Sequence, residues 1–285
     1  MTQTDNFFLE NKPLFSGKIR EIYNYGEEKL LIKTTNKISA FDFVFDDEIL
    51  TKGLLLTNIA KIWFDKTNHI IQNHLLNDNS ISKLLPNAHE SCMIVKKCKP
   101  IRIEAIVRGY ISGSAYDQYS NEGKVSDIRI REGLNINDKL DEPIFTPSTK
   151  AEVGGKDENI TFSHMNDMLG EETSIYIKNK SIELYSYAHD FAQKNGLCLL
   201  DTKFEFGYDS NGNIQLIDEI FTPDCSRYCL TDDIRNNNID YFDKQFFRNY
   251  LKSINWNRQQ IIIPSEVKEV IIKRYKQVLD MIESV

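Results

Sequence analysis

Two runs rich in apolar and aromatic residues, 197–208 and 214–221, flank the polar stretch Asp209, Ser210, Asn211, Gly212 and Asn213. Turn chemistry of that kind between two strand-like runs specifies a β-hairpin, which commits this half of the chain to antiparallel sheet. Along the first run Thr202, Phe204 and Phe206 take one face, so Lys203 and Glu205 share the other. If Asp218 lies opposite Lys203 or Glu205 it joins their face; a register shifted by one residue puts Glu219 there instead.

The remaining periodicities fit the same class. Runs 19–23 and 30–34, parted by a turn at Gly26, predict a second hairpin in a β-rich first part. Leu55, Ile59, Ile62 and Trp63 recur at helical spacing. Over 101–107, Arg102, Glu104, Ile106 and Arg108 alternate with Ile101, Ile103, Ala105 and Val107. Helices are predicted over 115–121 and over 172–195, the second closed by Gly196. A last amphipathic helix opens at Pro264 and Ser265, with Val267, Val270, Ile271, Tyr275, Val278 and Ile282 along one stripe. The fold class is α+β, helices packed on antiparallel sheets. The polar segment 77–90, interrupted by Pro86, is either a boundary or a surface loop. The expected division is a β-rich lobe over 1–95 and an α+β lobe over 96–285.

Composition narrows the partners. The 285 residues carry a net charge of −7, so there is no global basic field for nucleic acid or an anionic membrane. A phosphate site must come from a few local Lys and Arg residues. No apolar stretch approaches the roughly 20 residues that span a bilayer. The N-terminus lacks the basic and apolar regions of a signal peptide. The five cysteines, Cys92, Cys98, Cys198, Cys225 and Cys229, include no CxxC pair, which argues for reduced thiols and a cytoplasmic protein.

Four segments can carry chemistry. In Ser16-Gly-Lys-Ile-Arg20, Gly17 permits close approach of backbone to phosphate and Lys18 supplies mobile charge, although the Walker spacing is absent. Arg108 leaves a strand shortly before Gly113 and Ser114 open a helix, and helix N-termini attract anions; Ser114 acting as a cap is the plain alternative. Lys203, Glu205 and an acid from Asp218 or Glu219 converge on one sheet face, and such carboxylates suit Mg²⁺ with a nucleotide. The stretch 143–159 is a polar, glycine-rich loop able to meet a ligand.

Taken in order, the runs SGKIREIY, KISAFD, KGLLLT, EAIVRGYISGSAY, EPIFTPSTKAE, GGKDENI, DTKFEFG and DEIFTPDCSRY resemble the SAICAR synthetase family from Ser16 to Tyr228. The resemblance implies a two-lobed enzyme with an ATP-grasp-like nucleotide cleft. Its reaction joins L-aspartate to the carboxylate of carboxyaminoimidazole ribonucleotide (CAIR) with ATP, giving SAICAR, ADP and phosphate in purine biosynthesis. By similarity Gly17, Lys18, Arg20, Glu104 and Lys203 line the ATP site, and Glu205 and Asp218 hold Mg²⁺. Arg108, Gly113, Ser114 and Arg227 bind the ribonucleotide, and Ser39, Asp42, Lys150 and Asp157 border the CAIR and aspartate sites. The resemblance also selects Asp218 over Glu219 for the hairpin register. Lys18, Lys203 and Asp218 are the expected catalytic residues. Asn36-Lys37, Lys156 and Cys225 depart from the family pattern, Lys156 standing where His is common.

The implied route is attack of the CAIR carboxylate on the γ-phosphoryl group, then displacement of phosphate from the acyl phosphate by the aspartate amine. A small-molecule kinase shares the nucleotide chemistry but needs no amine. A silent nucleotide-binding regulator would be free to lose Lys203, Glu205 and Asp218. Whether the protein is a monomer or a homo-oligomer is open at this stage.

Overall fold

The structure, a computed structural model, describes residues 7–8, 10–78, 80–85, 88–150, 158–236 and 239–283. The chain begins with β1 (Phe15–Ser16), β2 (Arg20–Asn24) and β3 (Lys29–Thr34), then a small hairpin of β4 (Ile38–Ala40) and β5 (Phe43–Phe45). Helix α1 (Lys52–Thr67) and the short α2 (Ser80–Leu84) follow, and β6 (Cys92–Lys96) returns to pair with β3. This gives a four-stranded antiparallel sheet in the order β1-β2-β3-β6. The strand after the polar segment 77–90 thus completes the sheet begun before it.

Two residues later β7 (Lys99–Tyr110) starts a second sheet. After it come α3 (Ser114–Glu122), the hairpin β8 (Lys124–Val125) and β9 (Ile128–Arg129), β10 (Lys139–Phe145) and β11 (Ser148–Thr149). Helices α4 (Phe162–Leu169) and α5 (Glu171–Lys194) lead to β12 (Leu197–Tyr208), β13 (Ile214–Ile217) and β14 (Ser226–Leu230). The last helices are α6 (Thr231–Arg235), α7 (Lys244–Ser253) and α8 (Ser265–Glu283). The second sheet runs β10-β7-β12-β13, with β11 also on β7 and β14 also on β12.

Both long strands follow the expected alternation: Ile101, Ile103, Ala105 and Val107 are buried on one face of β7. Gly196 ends α5 with φ +77, a conformation only glycine adopts without strain. Part of the stretch read as a loop is strand, since Ile144 and Phe145 pair with Arg108 and Val107, and Ser148 and Thr149 with Glu104 and Ile103. Of that stretch, residues 151–157 lie outside the described ones.

One large apolar core joins the two lobes. Trp63 of α1 packs on Phe221 with ring centroids 4.9 Å apart, and Phe221 packs on Phe204 of β12 at 5.2 Å. The terminal helix α8 returns to pack on α1 of the first lobe. Among the described residues, no helix is long and apolar enough to cross a membrane.

Candidate active site

The site is built on β12, whose Asp201, Lys203 and Glu205 project from one face because a strand repeats every two residues. At about 3.3 Å per residue, Asp201 and Glu205 stand about 13 Å apart along it.

At the Glu205 end, register sets Glu205 directly opposite Glu104 of β7. Two facing carboxylates repel, and Lys203 answers by donating to both at 2.9 Å. Lys150 binds the other Glu205 oxygen. Burial opposes ionisation of Glu205, yet Lys203 and Lys150 hold its carboxyl down at about 2.

The hairpin register differs from the expected one. Glu205 pairs with Ile217 and Phe206 with Leu216, the register that alternation would use to bring Glu219, not Asp218, onto the lysine's face. Alternation stops, however, because Asp218 takes φ +67 and leaves the sheet. Asp218 and Glu219 then both turn to Arg20 of β2. Arg20 donates to the two Asp218 oxygens at 2.8 and 2.9 Å and pairs with Glu219. Burial raises the Asp218 carboxyl above its ordinary value despite Arg20. Burial also opposes ionisation of Glu219, but Arg20 and the Thr222 hydroxyl keep its carboxyl low.

Arg20, which the resemblance places in the ATP site, thus ties the first sheet to the acids that follow β13. Gly17 and Lys18 lie on the exposed β1–β2 turn, where Lys18 meets Asp42 at 2.5 Å. Ser39 is buried in β4. His74, absent from the sequence reading, is buried and hydrogen-bonded to the Asp218 backbone; burial, with Arg20 nearby, keeps it neutral with a pKa down at about 3.

At the other end, Asp201 faces Arg108 of β7 on one side and Arg227 of β14 on the other. It accepts from Arg108 at 3.3 Å, from Ser112 at 3.3 Å and from Arg227. Two guanidinium groups share one carboxylate. Burial lowers the Arg108 pKa, with Asp201 opposing and Arg227 adding to the fall. One carboxylate between two guanidinium groups leaves one formal positive charge in excess. The N-terminus of α3 adds to that field. Gly113 precedes it with φ +54, and a Cβ there would stand 2.5 Å from the Arg227 guanidinium. Ser114 is the exposed first residue of α3, Gly113 is its N-cap, and no side chain caps the helix, so the capping role weighed for Ser114 does not hold. The serine that joins the arginines is the buried Ser112.

Asp201 and Ser112 both lie inside quoted motifs. The signal for Asp201 was present, because it shares the period-two face of Lys203 and Glu205. Asp157 lies outside the described residues.

Asp243 caps α7 through the Gln245 amide, while its second oxygen has no partner among the described residues. Burial raises its pKa to about 6, with Arg227 opposing. An unfolded Asp titrates near 3.9, so the folded protein binds the extra proton between roughly pH 4 and 6. That contribution stabilises as pH falls through 6 and vanishes above it. Relative to Asp243→Asn, the parent should gain about 1 kcal/mol of unfolding free energy between pH 7 and pH 5. Paired denaturant titrations check this, and equal pH slopes would refute the raised pKa.

Residues 13–263 match a family model described as SAICAR synthetase. Phosphoribosylaminoimidazole-succinocarboxamide synthase of Pasteurella multocida is 39% identical over 282 residues, covering 96% of this chain and 98% of the relative. The Chromobacterium violaceum enzyme of the same name is 40% identical, covering 94% and 97%. The solved SAICAR-synthase from Saccharomyces cerevisiae, complexed with SAICAR, superposes with a TM-score of 0.86 at 31% identity, covering 96% of this chain and 95% of that one.

Proposed function

The chain belongs to the SAICAR synthetase family, and on that premise we propose how its cleft divides the work. The enzyme uses ATP to join L-aspartate to the carboxylate of CAIR, forming SAICAR, ADP and phosphate. The observation that carries the assignment is the single face of β12, with an arginine clamp at Asp201 and an acid–lysine set at Glu205.

The Arg108–Arg227 pair and the α3 N-terminus, with Gly113, Ser114 and the added Ser112, take the ribonucleotide phosphate; a doubly charged anion there relieves the excess positive charge. Gly17, Lys18 and Lys203 meet the ATP phosphates, and Glu104 orients Lys203. Ser39, Asp42 and Lys150 border the space between. The two lobes, 1–95 and 96–285, close on this face, a division supported by the change of sheet between β6 and β7.

Among the described residues, no three His, Cys, Asp or Glu side chains form a ready-made metal cage. Mg²⁺ does not require one, since it binds through one or two carboxylates together with substrate phosphates and water. Glu205 and Asp218 are hard oxygen donors, and Glu205 is near enough to help raise the Asp218 carboxyl, so the pair fits that demand. When bound there, Mg²⁺ supplies charge neutralisation on the triphosphate.

A CAIR carboxylate oxygen attacks the γ-phosphorus and the bond to ADP breaks. The aspartate nitrogen, once deprotonated, attacks the acyl carbon and phosphate departs with its bonding electrons. Lys18 and Lys203 stabilise charge on the transferring group, and the clamp holds CAIR in line.

Coupled ADP-release measurements with ATP, CAIR and L-aspartate, each omitted in turn, test the reading. Release should depend on all three. Full ADP release without aspartate, with a phosphorylated product, would establish a kinase instead.

A further inference from the structure

Between β13 and β14 the chain leaves β12 at Asp218 and rejoins it at Ser226 on the same side. This excursion, 218–225, starts with the acids on Arg20 and ends two residues before Arg227. Its two ends serve the two halves of the site, so its shape sets their spacing.

Asp224 holds the excursion near the end that rejoins β12. It accepts from Lys52 at the start of α1 (2.8 Å), from Lys244 of α7 (3.0 Å) and from the Tyr275 hydroxyl of α8 (2.7 Å). The side chains of Lys52 and Asp224 are 0% exposed. Inward from this junction, the Asp224 amide donates to the Thr222 hydroxyl at 3.3 Å, which donates to Glu219, which pairs with Arg20. Lys52 comes from the KGLLLT run and Asp224 from DEIFTPDCSRY, and neither is among the residues expected to contact substrate. Burying two ammonium groups on one carboxylate is a poor way to gain stability, because apolar residues of similar volume do at least as well.

We propose that Asp224 is a positioning residue: gripped by α1, α7 and α8, it fixes the excursion so that the acids at Arg20 and the Arg227 clamp keep one relative placement. The proposal rests on the ligase assignment above and goes beyond it, giving the terminal helix a role in catalytic geometry.

Two variants test it without stranding a buried charge. Tyr275→Phe loosens Asp224 itself. Thr222→Val removes the hydroxyl that joins the Asp224 amide to Glu219 and leaves the Lys52, Lys244 and Tyr275 contacts of Asp224 in place, and Thr222→Ser restores that hydroxyl. At a temperature well below each melting midpoint, both Tyr275→Phe and Thr222→Val should lower kcat about tenfold, since displacements near 1 Å cost up to about 10²-fold. CAIR affinity, titrated without ATP or aspartate, should weaken severalfold in Tyr275→Phe and stay parental in Thr222→Val. Thr222→Ser should recover kcat. Parental kcat and CAIR affinity in both folded variants would reduce the junction to a stabilising one and overturn the proposal. Equal loss in Thr222→Ser and Thr222→Val would remove the Thr222 link. Failure of the ligase reading shows separately, as absence of aspartate-dependent ADP release in the parent.

Discussion

Asp218→Asn is expected to lower turnover by about 10²- to 10³-fold, the scale on which one preorganised charge-stabilising group acts, while CAIR affinity changes little. The substitution is chosen for its backbone. Asp218 has φ +67, a left-handed conformation that Asn tolerates far better than other non-glycine residues. The turn that ends β13 therefore survives, and the variant loses charge without losing shape. Of its two carboxylate partners Arg20 then keeps Glu219, and Glu205 loses a neighbouring negative charge. The clamp proposed for CAIR lies at the Asp201 end of β12, about 13 Å from Glu205 along the strand, and keeps its own residues. Single-turnover rates with saturating CAIR, together with CAIR titration, separate the two effects. Parental turnover in this variant would end the assignment of Asp218 to the phosphoryl-transfer half of the site.

Arg227→Gln should act at the opposite end and in the opposite way. A hydrogen bond to a charged group contributes about 1.5–3 kcal/mol, so the KM for CAIR should rise by about 10- to 150-fold with kcat at saturation largely kept. The loss is of net charge as well as contact. In the parent, Arg108 and Arg227 share Asp201 and leave one positive charge in excess, the charge proposed to meet the phosphate; in the variant Asp201 neutralises Arg108 alone. Gly113→Ala should push KM the same way without altering any charge, because its Cβ would stand 2.5 Å from the Arg227 guanidinium and its φ of +54 disfavours a side chain. Steady-state kinetics with CAIR varied check both. Unchanged KM in both would place the phosphate elsewhere.

The two results together would read β12 as a ruler: a charge lost at one end alters the rate, and at the other the affinity. The acids and bases of this strand need each other as well as the substrates. Glu104 and Glu205 tolerate their direct opposition because Lys203 bridges them, and Arg108 tolerates Arg227 because Asp201 lies between.

The chain order of its residues was enough to place β7, β12 and α5 closely, since alternation, helical spacing and a glycine after the helix are local properties. The same alternation put Lys203 and Glu205 on one face and offered Asp201, which went unused. It could not find the end of β13. A left-handed residue at Asp218 interrupts a run that still looks like strand; alternation left two registers open, and the one the family resemblance selected is off by one residue. Nor could spacing tell the exposed Ser114 from the buried Ser112, because that depends on how α3 sits over Arg227.

What the sequence by itself determined is therefore the antiparallel α+β framework and the stock of charged residues, both of which follow from short-range periodicity and residue chemistry. Only the tertiary structure decided which charges meet. Arg20 with Asp218 spans 198 positions of chain, and Lys52 with Asp224 spans 172. Pairings across such distances are set by how α1, α8 and the two sheets pack around one core, and burial there makes each pairing obligatory.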